Sequence, residues 1–267
     1  MNTLSDTDLA RRHDAALLIA AQAGDMALSM RPAPGDASIT LKGAQDWLTE
    51  ADGAVERFVA QRLAALFPED GFHGEETGHA RPGARRWVLD PIDGTSNYAH
   101  GGTRWCVSLG LIEERTPLLG VIAAPALGET YAACRGRGAT LNGAAIRVSA
   151  TTELARAIVE CGWSPRRPSP DYVALCGRVM ATGSMVRAGG SGALGLAEVA
   201  AGRLDGYVEM HINLWDVAAA LAILAEAGAV VSDFMAGEGP SRGEPILAAA
   251  PGIVAALRAA AALADLA

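Results

Sequence analysis

Cysteine is scarce in this chain: Cys106, Cys134, Cys161 and Cys176 are the only four, and no two stand in the C-x-x-C spacing of a zinc or dithiol redox site. They read as structural thiols. Basic charge is short as well. Lys and Arg total 22 against 30 Asp and Glu, a formal net charge of -8, so the clustered cations that neutralise a nucleic-acid backbone are missing. No apolar run has the length of a membrane span. The two alanine-rich stretches, Ala218 to Ala229 and Ile253 to Ala267, are too short and interrupted, and read as buried helices. The opening MNTLSDTDLARRHDAALL lacks a charged segment followed by an apolar one and a small-residue cleavage site, so it reads as a cytoplasmic start. Repeats, coiled-coil heptads and low-complexity linkers are also absent.

What is present is enough apolar material for a substantial core: 50% of 267 residues, sufficient for one large domain or two small ones. Leu9, Ala16, Leu17, Ala20 and Ala27 recur at helical spacing between Thr7 and Met30, and Arg31 to Gly35 ends the run. Thr49-Glu50-Ala51-Asp52 has the form of an acidic capping box, and Val55, Phe58, Val59, Leu63 and Leu66 continue a second helix to Pro68. Short β-rich runs follow at Arg86 to Leu89, Trp105 to Ile112, Leu118 to Ala123 and Glu129 to Ala133. After Val148 the texture becomes mixed. Strands are expected at 157–161, 184–187, 206–209 and 229–233, and helices at 171–181, 195–201 and 215–227. This change predicts two halves, 1–148 and 149–267.

The densest chemistry lies in Trp87-Val88-Leu89-Asp90-Pro91-Ile92-Asp93-Gly94-Thr95-Ser96-Asn97. An apolar strand delivers two carboxylates three residues apart, Pro91 stiffens its exit and Gly94 permits a sharp turn. Hard cations prefer oxygen, and two carboxylates with the Ile92 carbonyl and the Thr95 hydroxyl suit magnesium. An isolated Asp-Gly would be an ordinary turn. Gly74-Glu75-Glu76-Thr77-Gly78, alone, would be a solvated loop, and Asp216, where an alanine-rich helix begins, would complement the helix terminus. Taken together, Glu75, Asp90, Asp93 and Asp216 supply the carboxylates that two magnesium ions need.

Four segments in order, Asp46 to Asp52, Gly74-Glu75-Glu76, Trp87 to Thr95, and Trp215-Asp216-Val217-Ala218-Ala219 running to Gly228, resemble the inositol monophosphatase-like, lithium-sensitive phosphatases over nearly the whole chain. The resemblance implies an α+β fold, a layered αβαβα sandwich of the inositol monophosphatase and fructose-1,6-bisphosphatase type, commonly a homodimer. It implies hydrolysis of a small-molecule phosphate ester with Mg2+: Glu75, Asp90, the Ile92 carbonyl and Thr95 at one ion, and Asp90, Asp93 and Asp216 at a second. A third ion near Glu75 and Glu76 is an open expectation. Glu75 and Thr95, with Asp46 polarising the threonine, would hold the attacking water. The Gly94 and Thr95 amides, at an expected helix start, would receive phosphate oxygens, and Gly190, Ser191, Ala193 and Glu209 would face the polyol beside Asp93 and Asp216.

Two matters stay open at this level. Gly190-Ser191-Gly192-Ala193-Leu194-Gly195 fits the G-x-G-x-x-G dinucleotide fingerprint, with Asp205 and Glu209 at about the distance of a ribose-binding acid, although it follows a β-rich half rather than opening the fold. A non-enzymatic binding protein is disfavoured because no candidate ligand is substituted. Inositol monophosphate is the leading substrate, and Glu209 would accept its ring hydroxyls. His211 replaces an expected small residue, which keeps histidinol phosphate, fructose 1,6-bisphosphate and 3'-phosphoadenosine 5'-phosphate in view.

Overall fold

The computed structural model describes residues 4–33, 40–43 and 46–263, excluding the side chains of 40–43, 46–48, 79 and 80. The chain opens with α1 (Asp6–Ser29), started by Ser5, whose hydroxyl accepts from the Asp8 amide at 3.1 Å. A short hairpin, β1 (Thr40–Gly43) and β2 (Asp46–Leu48), leads into α2 (Glu50–Leu66). There the Asp52 carboxylate accepts from the Thr49 amide at 2.8 Å and hydroxyl at 2.7 Å, as the sequence of the box predicts.

Eight strands then form one sheet: β3 (Gly71–Gly74), β4 (Gly78–Arg81), β5 (Arg85–Asp93), β6 (Cys106–Glu113), β7 (Thr116–Ala124), β8 (Glu129–Cys134), β9 (Ala139–Leu141) and β10 (Ala144–Ile146), with α3 (Thr95–Ala99) between β5 and β6. Their spatial order is β10-β9-β8-β7-β6-β5-β3-β4, and only β3 and β5 run parallel. The second half supplies β11 (Ile158–Gly162), α4 (Ser169–Met180), β12 (Met185–Arg187), α5 (Gly192–Ala200), β13 (Gly206–Ile212), α6 (Leu214–Ala227), β14 (Val230–Val231), α7 (Gly239–Arg242), β15 (Glu244–Ala249) and α8 (Val254–Ala261). Its five strands pair in the order β12-β11-β13-β15-β14.

Alternation of side chains along each strand builds the layers. Trp87 and Leu89 of β5 face α1 and α2, while Val88 between them faces α5 and α6. In the smaller sheet Tyr207, Ile246 and Ala248 face those same two helices, and Val208, Leu247 and Ala249 face α4 and α8. The order is therefore helices, sheet, helices, sheet, helices, the expected α+β sandwich. Helix α6, covered on both sides, is apolar nearly all round. Gly110 and Gly120 stand opposite each other on β6 and β7, and a Cβ on either would come within 2.7 Å of the Ala218–Ala219 backbone, so the helix rests directly on the sheet.

Some elements depart from the sequence reading. Helix α8 is half-exposed rather than buried and ends at Ala261, and residues 264–267 lie outside the described part. The strand expected over 229–233 shrinks to Val230–Val231, and α5 begins at Gly192 rather than 195. The sheets change over between Ile146 and Ile158, yet α5 and α6 join one apolar cluster with β5 to β9.

Candidate active site

In a regular strand residues three apart point to opposite faces. Asp90 and Asp93 do not, because the β5–β6 register shifts between them, at Pro91-Ile92. Gly94, at φ 89°, then turns the chain into α3. Asp216 arrives from the first turn of α6, where its carboxylate accepts from the Asn213 amide at 2.8 Å. The result is a cluster in which one oxygen each from Asp90, Asp93 and Asp216 lie within 4.8 Å of one another.

Three acids this close, Asp90 and Asp93 buried and Asp216 partly so, resist ionisation. Burial, then the neighbouring charges of Glu75, Asp93 and Asp216, push Asp90 well up. Burial and Asp93 push Asp216 up to about 7. Asp93 is also raised by burial, partly offset by donors: the Ser191 hydroxyl, the Ala193 amide at 2.9 Å and the Gly192 amide at 3.2 Å. Such a set of buried oxygens, repelling one another, fits a hard divalent cation, which would relieve the repulsion and hold the acids ionised.

The other expected residues converge here. Glu75, Asp93, Gly94, Thr95, Gly190, Ser191, Glu209 and Asp216 line one cavity of about 320 Å³. Glu75 sits in the turn between β3 and β4, its amide bonded to the Leu89 carbonyl at 3.1 Å. The Thr95 hydroxyl donates to the Ile92 carbonyl at 2.8 Å, so two expected ligands are bonded to each other. The amide of Ile92 donates to Asp90 at 2.9 Å. Asp46 lies in β2 by its backbone, and its side chain is outside the described residues. Ala193 is buried, and its amide rather than its side chain contributes.

Away from the acid cluster, Glu209 is buried and accepts from the Tyr207 hydroxyl; burial pushes its carboxyl up to about 8. Gly162, beside it on β11, leaves room for this pair: a Cβ there would meet the Glu209 carboxyl carbon at 2.7 Å. His211 is on the cavity wall with its Nε2 turned against Gly243, and burial beside Arg166 and Arg167 lowers its affinity for a proton. The sequence reading missed Glu160, Arg104, Trp163 and Arg166. Glu160, buried and lining the cavity, is held by Arg104 at 2.6 Å, which also grips Glu198 at 2.8 Å. Trp163 is 40% exposed at the cavity wall, and Arg166, exposed on the same wall, is near enough for its charge to act on Asp216. The run Trp163-Ser164-Pro165-Arg166-Arg167, an aromatic and two cations in a Pro-rich turn, was the available signal.

The dinucleotide fingerprint does not survive. The amides of Gly192 and Ala193 at the start of α5, which a pyrophosphate would need, are engaged by Asp93. Asp205 is held by the Ser149 hydroxyl and the Ile158 amide. The motif anchors a protein carboxylate instead.

A sequence profile described as "Inositol monophosphatase family" matches residues 8–266. The chain is 41% identical over 202 residues to inositol monophosphatase 2 of Solanum lycopersicum, covering 72% of this chain and 76% of the relative. It is 39% identical over 196 residues to the fructose-1,6-bisphosphatase/inositol-1-monophosphatase of Thermotoga maritima, covering 72% and 73%. The crystal structure of extragenic suppressor protein suhB from Bartonella henselae superposes with a TM-score of 0.85 at 32% identity, covering 94% of this chain and 98% of that one.

Proposed function

Because the chain belongs to the inositol monophosphatase family and is a phosphoric monoester hydrolase, we propose that it hydrolyses a small polyol phosphate, inositol monophosphate first, with magnesium. The observation that carries this reading is the convergence of Asp90, Asp93 and Asp216 within 4.8 Å at a cavity whose other wall bears the buried Glu209. Glu75, Asp90, the Ile92 carbonyl and Thr95 would hold one cation, and Asp90, Asp93 and Asp216 a second. Bound cations supply Lewis-acid activation of water and neutralise charge on the departing oxygen.

The chain's own residues do the rest. Glu75 and the Thr95 hydroxyl hold the attacking water, with Asp46 polarising the threonine, and the Gly94 and Thr95 amides receive phosphate oxygens at the start of α3. Asp93 is kept in place by Ser191, Gly192 and Ala193, so its carboxylate need not reorganise as charge develops. Glu209, oriented by Tyr207, accepts hydrogen bonds from the polyol hydroxyls and disfavours esters that lack them. The same reading carries a homodimer, lithium sensitivity and a cytoplasmic location.

A second reading, a bisphosphate such as fructose 1,6-bisphosphate, is favoured by Arg166: an exposed cation on the same cavity as the acids, near enough for its charge to act on Asp216, can take a second phosphate. The bifunctional name of the Thermotoga relative agrees with it. The deciding assay is phosphate release from inositol 1-phosphate, fructose 1,6-bisphosphate, histidinol phosphate and 3'-phosphoadenosine 5'-phosphate, with and without Mg2+, for the wild type and Asp93→Asn. Magnesium-dependent release from inositol 1-phosphate, lost in the variant, is expected. Release only from the other esters would replace the substrate, and no release from any would sink the reading.

A further inference from the structure

Glu56 belongs to α2, is only 2% exposed, and has no place in the chemistry described so far. A buried carboxylate needs strong partners. Its partners among the described residues come from the turn that carries Glu75: the Glu76 amide at 2.9 Å, the Thr77 amide at 3.0 Å and the Thr77 hydroxyl at 2.5 Å. Gly74, just before that turn, is shaped to the same group, since a Cβ there would lie 2.7 Å from Glu56 Oε1. On its other side the turn is fastened by the Glu75 amide to the Leu89 carbonyl, one residue before Asp90.

From this arrangement we infer that Glu56 is a positioning residue: it builds the 74–78 turn around its own carboxylate and thereby fixes Glu75 opposite Asp90. The inference rests on the proposed role of Glu75 as a cation ligand. A helix residue supplies what a short turn cannot supply for itself, two anchored amides in succession and a hydroxyl lock. Without Glu56 those amides would turn to water, and the turn that carries Glu75 would lose its anchor to α2. A group that orients a ligand in this way governs affinity by about 10- to 100-fold when removed.

The test measures Mn2+ binding to the substrate-free protein by isothermal titration, for the wild type, Glu75→Gln, Glu56→Gln, the double variant and Thr77→Val, with thermal unfolding of each. Glu56→Gln keeps one acceptor oxygen for Thr77 but places an amide donor where the Glu76 N–H already points. It is expected to weaken Mn2+ binding about tenfold and to add little to Glu75→Gln in the double variant, because the two act through one ligand. Thr77→Val, on an exposed residue, removes one leg of the turn and is expected to weaken binding by a few-fold without loss of folding, which covers the case of a misfolded Glu56→Gln. If Glu75→Gln weakens binding while both Glu56→Gln and Thr77→Val bind like the wild type, or if the effects of Glu56→Gln and Glu75→Gln add in full, the positioning role is overturned. If Glu75→Gln itself binds like the wild type, the cation role of Glu75 falls and this inference falls with it, whatever the phosphate-release assay shows.

Discussion

Gly162→Ala adds one methyl group to β11 and should act on substrate recognition through Glu209. The backbone of Gly162 lies in a strand and outside the positive-φ glycines, so alanine introduces no conformational strain of its own. The new Cβ would stand 2.7 Å from the Glu209 carboxyl carbon, where ordinary contact begins at 3.4 Å, so the carboxyl must retreat by about 0.7 Å and its nearer oxygen by more. That movement opens the Tyr207 to Glu209 hydrogen bond inside a closed wall. Overpacking of this kind costs roughly 1–3 kcal/mol, and a buried polar group stripped of its donor costs a similar amount. Chemical denaturation should therefore show a loss of about 2 kcal/mol or more. Steady-state kinetics with inositol 1-phosphate should show kcat/KM reduced about tenfold or more, carried mainly by KM, since the acid cluster is untouched. A variant within about 0.5 kcal/mol of the wild type and with unchanged KM would refute the assignment of Glu209 to substrate binding.

Three further outcomes follow from the same geometry. Arg104→Met should destabilise by about 3–5 kcal/mol in urea titration, because the buried Glu160 loses its counter-charge. Mg2+ should raise the melting temperature at pH 8, and the effect should shrink as pH falls through about 7, where Asp216 takes up a proton that competes with the cation; Asp216→Asn should reduce it to the share of the cation held without Asp216, as scanning calorimetry with and without chelator would report. Asp52 has its carboxyl raised by burial from 3.8 to about 6, so the folded state binds this proton more tightly than the unfolded one. Stability should therefore fall as pH rises from about 4 to about 6, by up to about 3 kcal/mol, and level off above; in Asp52→Asn this share of the slope should vanish.

The parts of the fold that could be read from sequence are those where local signals agree. Helices α1 and α2 have apolar periodicity and capping residues, and β5 to β8 are apolar runs cut by turns. Strand β15 escaped, although it pairs with both β13 and β14, because Glu-Pro-Ile-Leu-Ala-Ala has no alternation and its alanines speak equally for a helix. Gly71-Phe72-His73-Gly74 is too short and too poor in β-branched residues to announce β3. At the site, Asp90 and Asp93 were conspicuous because strand, proline and glycine surround them. Glu56, Arg104 and Glu160 were silent because each is defined by a partner distant in the chain, 20 residues from Glu56 to Glu76 and 56 from Arg104 to Glu160. The G-x-G-x-x-G run stayed ambiguous for a related reason: a helix start that accepts an anion looks the same in sequence whether the anion is a ligand or Asp93.

The seating of α6 on Gly110 and Gly120 has a mechanical meaning. Where a helix meets a sheet through side chains, rotamer changes give it room to slide; here Ala218–Ala219 meets bare backbone, and no such cushion exists. Asp216, one turn earlier on the same helix, is bolted to the sheet that carries Asp90 and Asp93. The acid-bearing side of the cavity is thus the fixed jaw of a vise, and the Trp163 to Arg167 segment with the part of β13 that carries Glu209 forms the jaw that faces it.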